Sequence, residues 1–140
     1  MPIIVGVYSQ LSLGTPTHVL ERALNEAYKP ILTYVYQNPQ VRLHLYLPVT
    51  TYEWLELNHP EMNMLIADLV KKDQIELMTG LAYQPILTLL PVKDRSGQIE
   101  ATTTFLRKRF GKRPRTIWFF NQIWSPAFVS TAKLCLVDRL

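Results

Sequence analysis

The chain has 140 residues, one domain's worth, and 48% of them are hydrophobic, with three Trp, seven Tyr and five Phe, enough to bury a core. Its net charge of +4 comes largely from one run, Arg107, Lys108, Arg109, Lys112, Arg113 and Arg115, which reads as a helix end and a solvated face rather than a nucleic-acid surface, since no RNA-recognition, helix-turn-helix or zinc-finger pattern accompanies it. The single cysteine, Cys135, excludes an internal disulfide and a thiolate metal cluster, and the absence of a signal peptide or an apolar span of ~18 residues points to a soluble, cytoplasmic protein with no membrane association.

Ile3 to Tyr8 is a continuous β-branched run, expected to form a strand covered on both faces. Thr15-Pro16 then supplies a helix cap, and Leu20, Leu24, Ala27, Ile31 and Val35 make one apolar face at helical spacing. Pro30 should kink that helix, and Asn38-Pro39 ends it. Val41 to Leu47 is the second strand. The capping-box spacing Thr50…Glu53 opens a short helix, and another begins near Asn58 with Met62, Leu65, Ile66 and Leu69 inward.

Gln74 to Thr79 reads as the third strand and Gly80 to Pro91 as a long loop. Ile99, Thr103, Leu106 and Phe110 define the next helix, with Gly111 where a C-terminal cap belongs. Thr116 to Phe120 is the fourth strand, Ser125-Pro126 caps a further helix, and Leu134 to Val137 starts a fifth strand. Strands alternating with helices predict an α/β fold with parallel strands and covering helices. There is no repeat, low-complexity stretch or internal boundary. A break on the first residues of a strand leads us to expect that residues 1–140 are an excerpt of a longer barrel.

In parallel β/α architectures the functional side chains gather at the carboxyl ends of the strands. Those positions hold Tyr8, Ser9 and Gln10 after the first strand, Pro48 after the second, and Tyr83, Gln84 and Pro85 after the third. Asn121, Gln122 and Trp124 follow the fourth, and Asp138 stands near the fifth. An aromatic and amide-rich set with little charge suits a sugar, because rings stack on the C–H faces of pyranoses and amides both donate to and accept from hydroxyls. Trp118, Phe119 and Phe120 read as strand core. His18, His44 and His59 lack metal-ligand spacing, so neither a metal nor any other cofactor is expected. Glu76, between Ile75 and Leu77, reads as a structural strand carboxylate.

Several segments carry a likeness in order and spacing. They are Gln10-Leu11-Ser12-Leu13-Gly14, Ala27-Tyr28-Lys29-Pro30, Tyr52-Glu53-Trp54-Leu55, Asp73-Gln74-Ile75-Glu76, Tyr83-Gln84-Pro85, Pro91-Val92-Lys93-Asp94-Arg95-Ser96-Gly97-Gln98-Ile99 and Trp118-Phe119-Phe120-Asn121-Gln122-Ile123-Trp124-Ser125-Pro126. Together they resemble the N-terminal part of the catalytic domain of glycoside hydrolase family 57, the α-amylase and 4-α-glucanotransferase type. The resemblance implies a partial (β/α) barrel, with residues 1–140 as the N-terminal segment of a single such domain. It also implies an α-1,4-glucan or maltooligosaccharide as the molecule bound.

The departures fall on polar positions. Where the family has its nucleophilic glutamate this chain has Asn121, and Gln10, Gln84 and Gln122 stand for a histidine, a glutamate and an arginine. A retaining glycosidase uses a nucleophilic carboxylate and an acid/base carboxyl group about 5–5.5 Å apart, and an amide is neither charged nor a good nucleophile. The family's second carboxylate is an aspartate beyond residue 140. The resemblance therefore implies impaired catalysis with sugar binding kept through Tyr8, Gln10, Tyr83, Gln84, Gln122 and Trp124. Two alternatives stand beside it: an active amylase or glucanotransferase using a carboxylate from elsewhere, and a non-catalytic scaffold or regulatory partner.

Overall fold

Short β-branched and aromatic runs become parallel strands, and the periodic segments between them become helices. The computed structural model describes residues 5–11, 13–119, 125–137 and 139. The strand order is β1-β2-β3-β4 for β1 (Gly6–Tyr8), β2 (Leu43–Tyr46), β3 (Ile75–Thr79) and β4 (Thr116–Ile117). Residues divide into two units, Met1–Glu76 and Leu77–Leu140, with the division inside β3.

In the first unit β1 runs parallel to β2 with Gly6 opposite His44 and Tyr8 opposite Tyr46. Leu43 N–H donates to the Gln74 carbonyl at 3.0 Å, which ties β2 to the start of β3. The expectation that β1 is covered on both faces is corrected. Val5 is 55% exposed and Gly6 and Tyr8 are exposed as well, and among the described residues β1 has one neighbouring strand. Ile3 and Ile4 lie outside the described residues.

The long helical segment is α1 (Thr17–Ala23), a π-helical turn (Leu24–Tyr28) and α2 (Lys29–Gln37). Pro30 has no N–H to give the carbonyl four residues back, and its ring crowds that carbonyl. The ladder responds by widening just before the proline, where Lys29 N–H donates to the Leu24 carbonyl, an i→i−5 bond. The wide turn inserts one residue into the helical period. In place of the expected face through Ala27 and Ile31, the fully buried positions are Leu24, Tyr28, Leu32 and Val35.

Prolines also displace the expected caps. Pro16 and Pro48 are the residues flanking α1 and α3 (Val49–Asn58), and neither helix has a side-chain cap hydrogen bond at that end. Thr15 stands one position too early for the role. Thr50 and Glu53 are already helical and form no capping box. The helix α4 (Pro60–Lys71) buries Met62, Ile66 and Leu69 as its periodicity predicts, with Leu65 half-buried. Gln74, itself buried, donates from Nε2 to the Val35 carbonyl at 2.7 Å and fastens the end of α2 to the start of β3.

In the second unit β3 pairs with β4 in parallel, Met78 opposite Thr116 and Thr79 opposite Ile117. The connection between them is a loop with a 3-10 turn at Leu87–Leu89, then α5 (Val92–Phe110). Gly111 ends α5 with φ +79°, the left-handed cap conformation glycine adopts without a Cβ penalty. The apolar cluster consists of Leu81, Leu87, Ile99, Ile117, Phe128, Ala132, Cys135 and Val137, with Phe119 packed against it. Phe119 stacks on Phe128 at 5.6 Å between ring centroids.

Three boundaries move. β4 stops at Ile117, although Trp118 N–H still donates to the Thr79 carbonyl at 2.8 Å; Phe120 lies outside the described residues. The helix α6 (Ala127–Leu134) follows Pro126, again with no side-chain cap bond. Leu134 to Val137 is not a strand: Leu134 ends α6, Leu136 takes a left-handed turn at φ +55°, and the parallel bridge forms later, between Thr116 and Arg139. The basic run divides. Arg107, Lys108 and Arg109 fill the last turn of α5, and Arg113 donates from Nη2 to Glu100 Oε1 at 3.1 Å and to the Cys135 carbonyl at 2.8 Å.

Candidate functional site

In the first unit the strand ends gather hydroxyls and one amide. Ser9 follows β1, and its N–H donates to the Tyr46 carbonyl at 3.0 Å, extending the β1–β2 ladder one step. Its Oγ lies 2.6 Å from the hydroxyl of Tyr28 at the end of the π turn. Burial pushes the Tyr28 phenol up, against a smaller opposing effect of the Ser9 hydrogen bond. Burial likewise drives Tyr52 far above the usual tyrosine range, with Tyr46 and Tyr28 adding to the shift. The phenols are thus neutral at physiological pH. Tyr8, 46% exposed, and the exposed Gln10 flank Ser9 and complete this part of the strand-end face.

In the second unit the loop after β3 presents Tyr83 and Gln84. Tyr83 is 68% exposed, and its N–H donates to Gln98 Oε1 at 3.1 Å. Gln84 has φ +55°, in the left-handed region, immediately before Pro85. It is half-buried, and its Nε2 is buried without a hydrogen-bond partner among the described residues. The other side of this loop is held by Arg95, which donates from Nε to the Leu90 carbonyl at 2.7 Å and stands over the Phe128 ring at 5.7 Å. Arg95 and Gln98 are three residues apart on α5, so one helical face supports the whole loop.

The structure thus brings Ser9, Tyr28 and Tyr46 together in the first unit, and Tyr83, Gln84 and Gln98 in the second. Asn121, Gln122, Trp124 and Asp138 lie outside the described residues. Sequence reasoning missed Tyr28, Arg95 and Gln98 as supports. The signal was present: all three lie inside the segments that carry the family likeness.

His44, His59 and Cys135 have structural partners. His44 Nε2 lies 3.6 Å from Glu76 Oε2, and His59 meets Glu21 and Glu61, so two histidines acquire carboxylate neighbours in space that linear spacing hid. No group of three or more His, Cys, Asp or Glu among the described residues is placed to hold a metal ion. Cys135 is buried, its thiol pushed up by burial and by Glu100, and its Sγ lies 3.8 Å from the Ser96 carbonyl. No helix among the described residues is long and apolar enough to cross a membrane.

The profile of glycosyl hydrolase family 57 matches residues 7–134. An alpha-amylase of Pyrococcus horikoshii is 34% identical over 130 residues, covering 93% of this chain and 20% of that protein. A 4-alpha-glucanotransferase of Thermococcus litoralis is 28% identical over 130 residues, with the same coverage of each chain. The crystal structure of 4-alpha-glucanotransferase from Thermococcus litoralis matches with a TM-score of 0.91 at 27% identity, over 96% of this chain and 21% of that one. A peptidoglycan deacetylase of Bacillus subtilis matches with a TM-score of 0.59 at 17% identity, over 98% of this chain and 57% of that one, a likeness of fold alone. The chain spans about one-fifth of the length of the curated relatives it matches.

Proposed function

The chain belongs to glycosyl hydrolase family 57, and from that premise we propose that it supplies part of an α-1,4-glucan-binding face in an amylase- or glucanotransferase-type protein whose double displacement is impaired. In this reading residues 1–140 are the N-terminal segment of a single β/α-barrel domain. Gln84 is the observation that carries the sugar-binding half. A non-glycine residue in the left-handed region costs about 1–2 kcal/mol, and a buried donor with no partner costs about 1–3 kcal/mol. Among the described residues Gln84 bears both costs, in the loop that follows β3. Strain of this kind persists where the surroundings impose it, and it clusters at ligand-contacting sites. Rotation of the Gln84 side chain out of its buried position would let Nε2 donate to a sugar hydroxyl, and the exposed ring of the preceding residue, Tyr83, offers a stacking surface.

Asn121 carries the catalytic half of the proposal. Asparagine is one methylene shorter than glutamate and uncharged, so it neither reaches the anomeric carbon nor offsets the positive charge developing there. By the family likeness Gln10, Gln84 and Gln122 stand where the family has a histidine, a glutamate and an arginine, so three further ionisable groups give way to neutral amides. Binding through stacking and amide hydrogen bonds survives such changes better than transition-state stabilisation does.

Calorimetry of the full-length protein with maltoheptaose tests the reading. Weak, saturable binding that Gln84→Ala reduces, without rapid turnover of the sugar, is the expected result. Absence of any binding at millimolar sugar, in protein shown to be folded, overturns it in favour of a scaffold role.

A further inference from the structure

We propose that Tyr28 is a positioning residue for the strand-end face: its hydroxyl, delivered by the π turn, fixes the Ser9 side chain and thereby sets the path by which the chain leaves β1 towards Gln10. The inference deepens the sugar-binding reading above and rests on it for the meaning of the face, though not for the geometry.

Ser9 is anchored twice. Its N–H donates to the Tyr46 carbonyl at 3.0 Å, and its Oγ lies 2.6 Å from the Tyr28 hydroxyl. The first contact continues the sheet and would exist with almost any residue at position 9. The second depends on two specific hydroxyls 19 residues apart. It forms because the helix departs from regular α geometry where it does. The i→i−5 bond from Lys29 to Leu24 closes the wide turn on Tyr28 itself and keeps that residue in line with Leu24 and Leu32 on the buried face. Pro30 accounts for the weakened ladder. What the placement of the wide turn adds is a phenol directed at the first residue beyond β1.

The chemistry of the contact suits a fixed post rather than a proton relay. Tyr28 is buried and its phenol is held protonated, so the pair remains O–H to O at physiological pH. The neighbouring Tyr52 is buried and neutral too, so neither of these two phenols carries charge. A neutral support of this sort orients a loop without competing for the hydroxyls of a sugar.

The test uses the full-length protein with Tyr28→Phe, Ser9→Ala, the double variant, and Thr103→Val as a control that removes a different buried hydroxyl pair, Thr79–Thr103. Two quantities are read: maltoheptaose affinity by calorimetry, and amide hydrogen exchange in peptides covering residues 9–11. Tyr28→Phe and Ser9→Ala should each weaken affinity about five- to tenfold, the worth of one hydrogen bond, and the double variant no more than either. Exchange at residues 9–11 should accelerate in all three, while Thr103→Val leaves both readouts at wild-type values. Wild-type affinity and exchange in Tyr28→Phe would overturn the proposal, as would equal effects from Thr103→Val. If the wild type binds no maltoheptaose, the sugar reading fails by itself and exchange decides: acceleration in Tyr28→Phe upholds the positioning role, and no change overturns it.

Discussion

His59 Nε2 stands 3.0 Å from Glu21 Oε1, joining the junction of α3 and α4 to the side of α1. Its Nδ1 lies 3.4 Å from Glu61 Oε1, and the Trp54 ring packs at 5.3 Å. The hydrogen bond and charge of Glu21, helped by Glu61, raise the imidazole above its usual pKa. A group whose folded pKa is raised stabilises the fold fully below its unfolded value, near 6.5, and that contribution is lost as pH rises through the folded value. Thermal stability should therefore fall as pH rises above about 6.5, and His59→Gln should flatten that slope. Melting curves of both proteins at matched ionic strength provide the check, and parallel slopes would exclude the pair as their source.

Gln84 offers a trade between stability and binding. Gln84→Gly removes the left-handed penalty and the buried donor together, so it should stabilise the protein by about 1 kcal/mol. The same change should weaken maltoheptaose binding. Urea unfolding and calorimetry on one preparation measure both, and a loss of stability would mean that the glutamine packs favourably as it stands.

The full-length wild type should hydrolyse or disproportionate α-1,4-glucans negligibly, because losing a nucleophile costs several powers of ten in rate, roughly 4–8 kcal/mol of barrier. Asn121→Glu should raise product formation from maltotriose only where a downstream carboxylate is available, and then only in part. Robust wild-type turnover that survives Asn121→Ala would place the nucleophile elsewhere.

Two glycines of the second unit should respond oppositely to alanine. An added Cβ meets nothing within 4 Å at either Gly97 or Gly111, so backbone conformation alone decides. Gly97 lies inside α5, where alanine is better by about 0.5–1 kcal/mol. Gly111 has φ +79°, where a Cβ costs about 1 kcal/mol or more. Chemical denaturation of Gly97→Ala and Gly111→Ala should show a gain and a loss of that size.

What could be read in advance followed physical locality. Gly111 as the cap of α5, the inward row Met62, Ile66 and Leu69, and the burial of Cys135 depend on neighbours within a few residues, and all three stand as expected. The caps at Thr15 and Thr50 failed because Pro16, one residue after Thr15, and Pro48, two before Thr50, hold the flanking positions themselves. The bridge at Arg139 came later than the apolar run at Leu134 to Val137 because that run is spent on the end of α6 and a left-handed turn at Leu136. At the strand-end face, residue types announced the chemistry, but the Ser9–Tyr28 contact and the backbone of Gln84 depend on tertiary placement that no local pattern encodes.

The wide turn before Pro30 also constrains how the length of this segment can vary. A π turn is the form an α-helix takes when one residue is inserted without breaking it. Deleting any one residue from Leu24 to Ala27 would restore an unbroken ladder and press the proline ring against the carbonyl one turn back. Leu32 and Val35 would keep their place on the buried face, because the wide turn already absorbs the extra residue and regular pitch with one residue fewer sweeps nearly the same angle. The extra residue and the proline therefore form one heritable unit: a lineage could discard them together at modest cost, but shedding the residue alone would leave the proline pressed against an otherwise regular ladder.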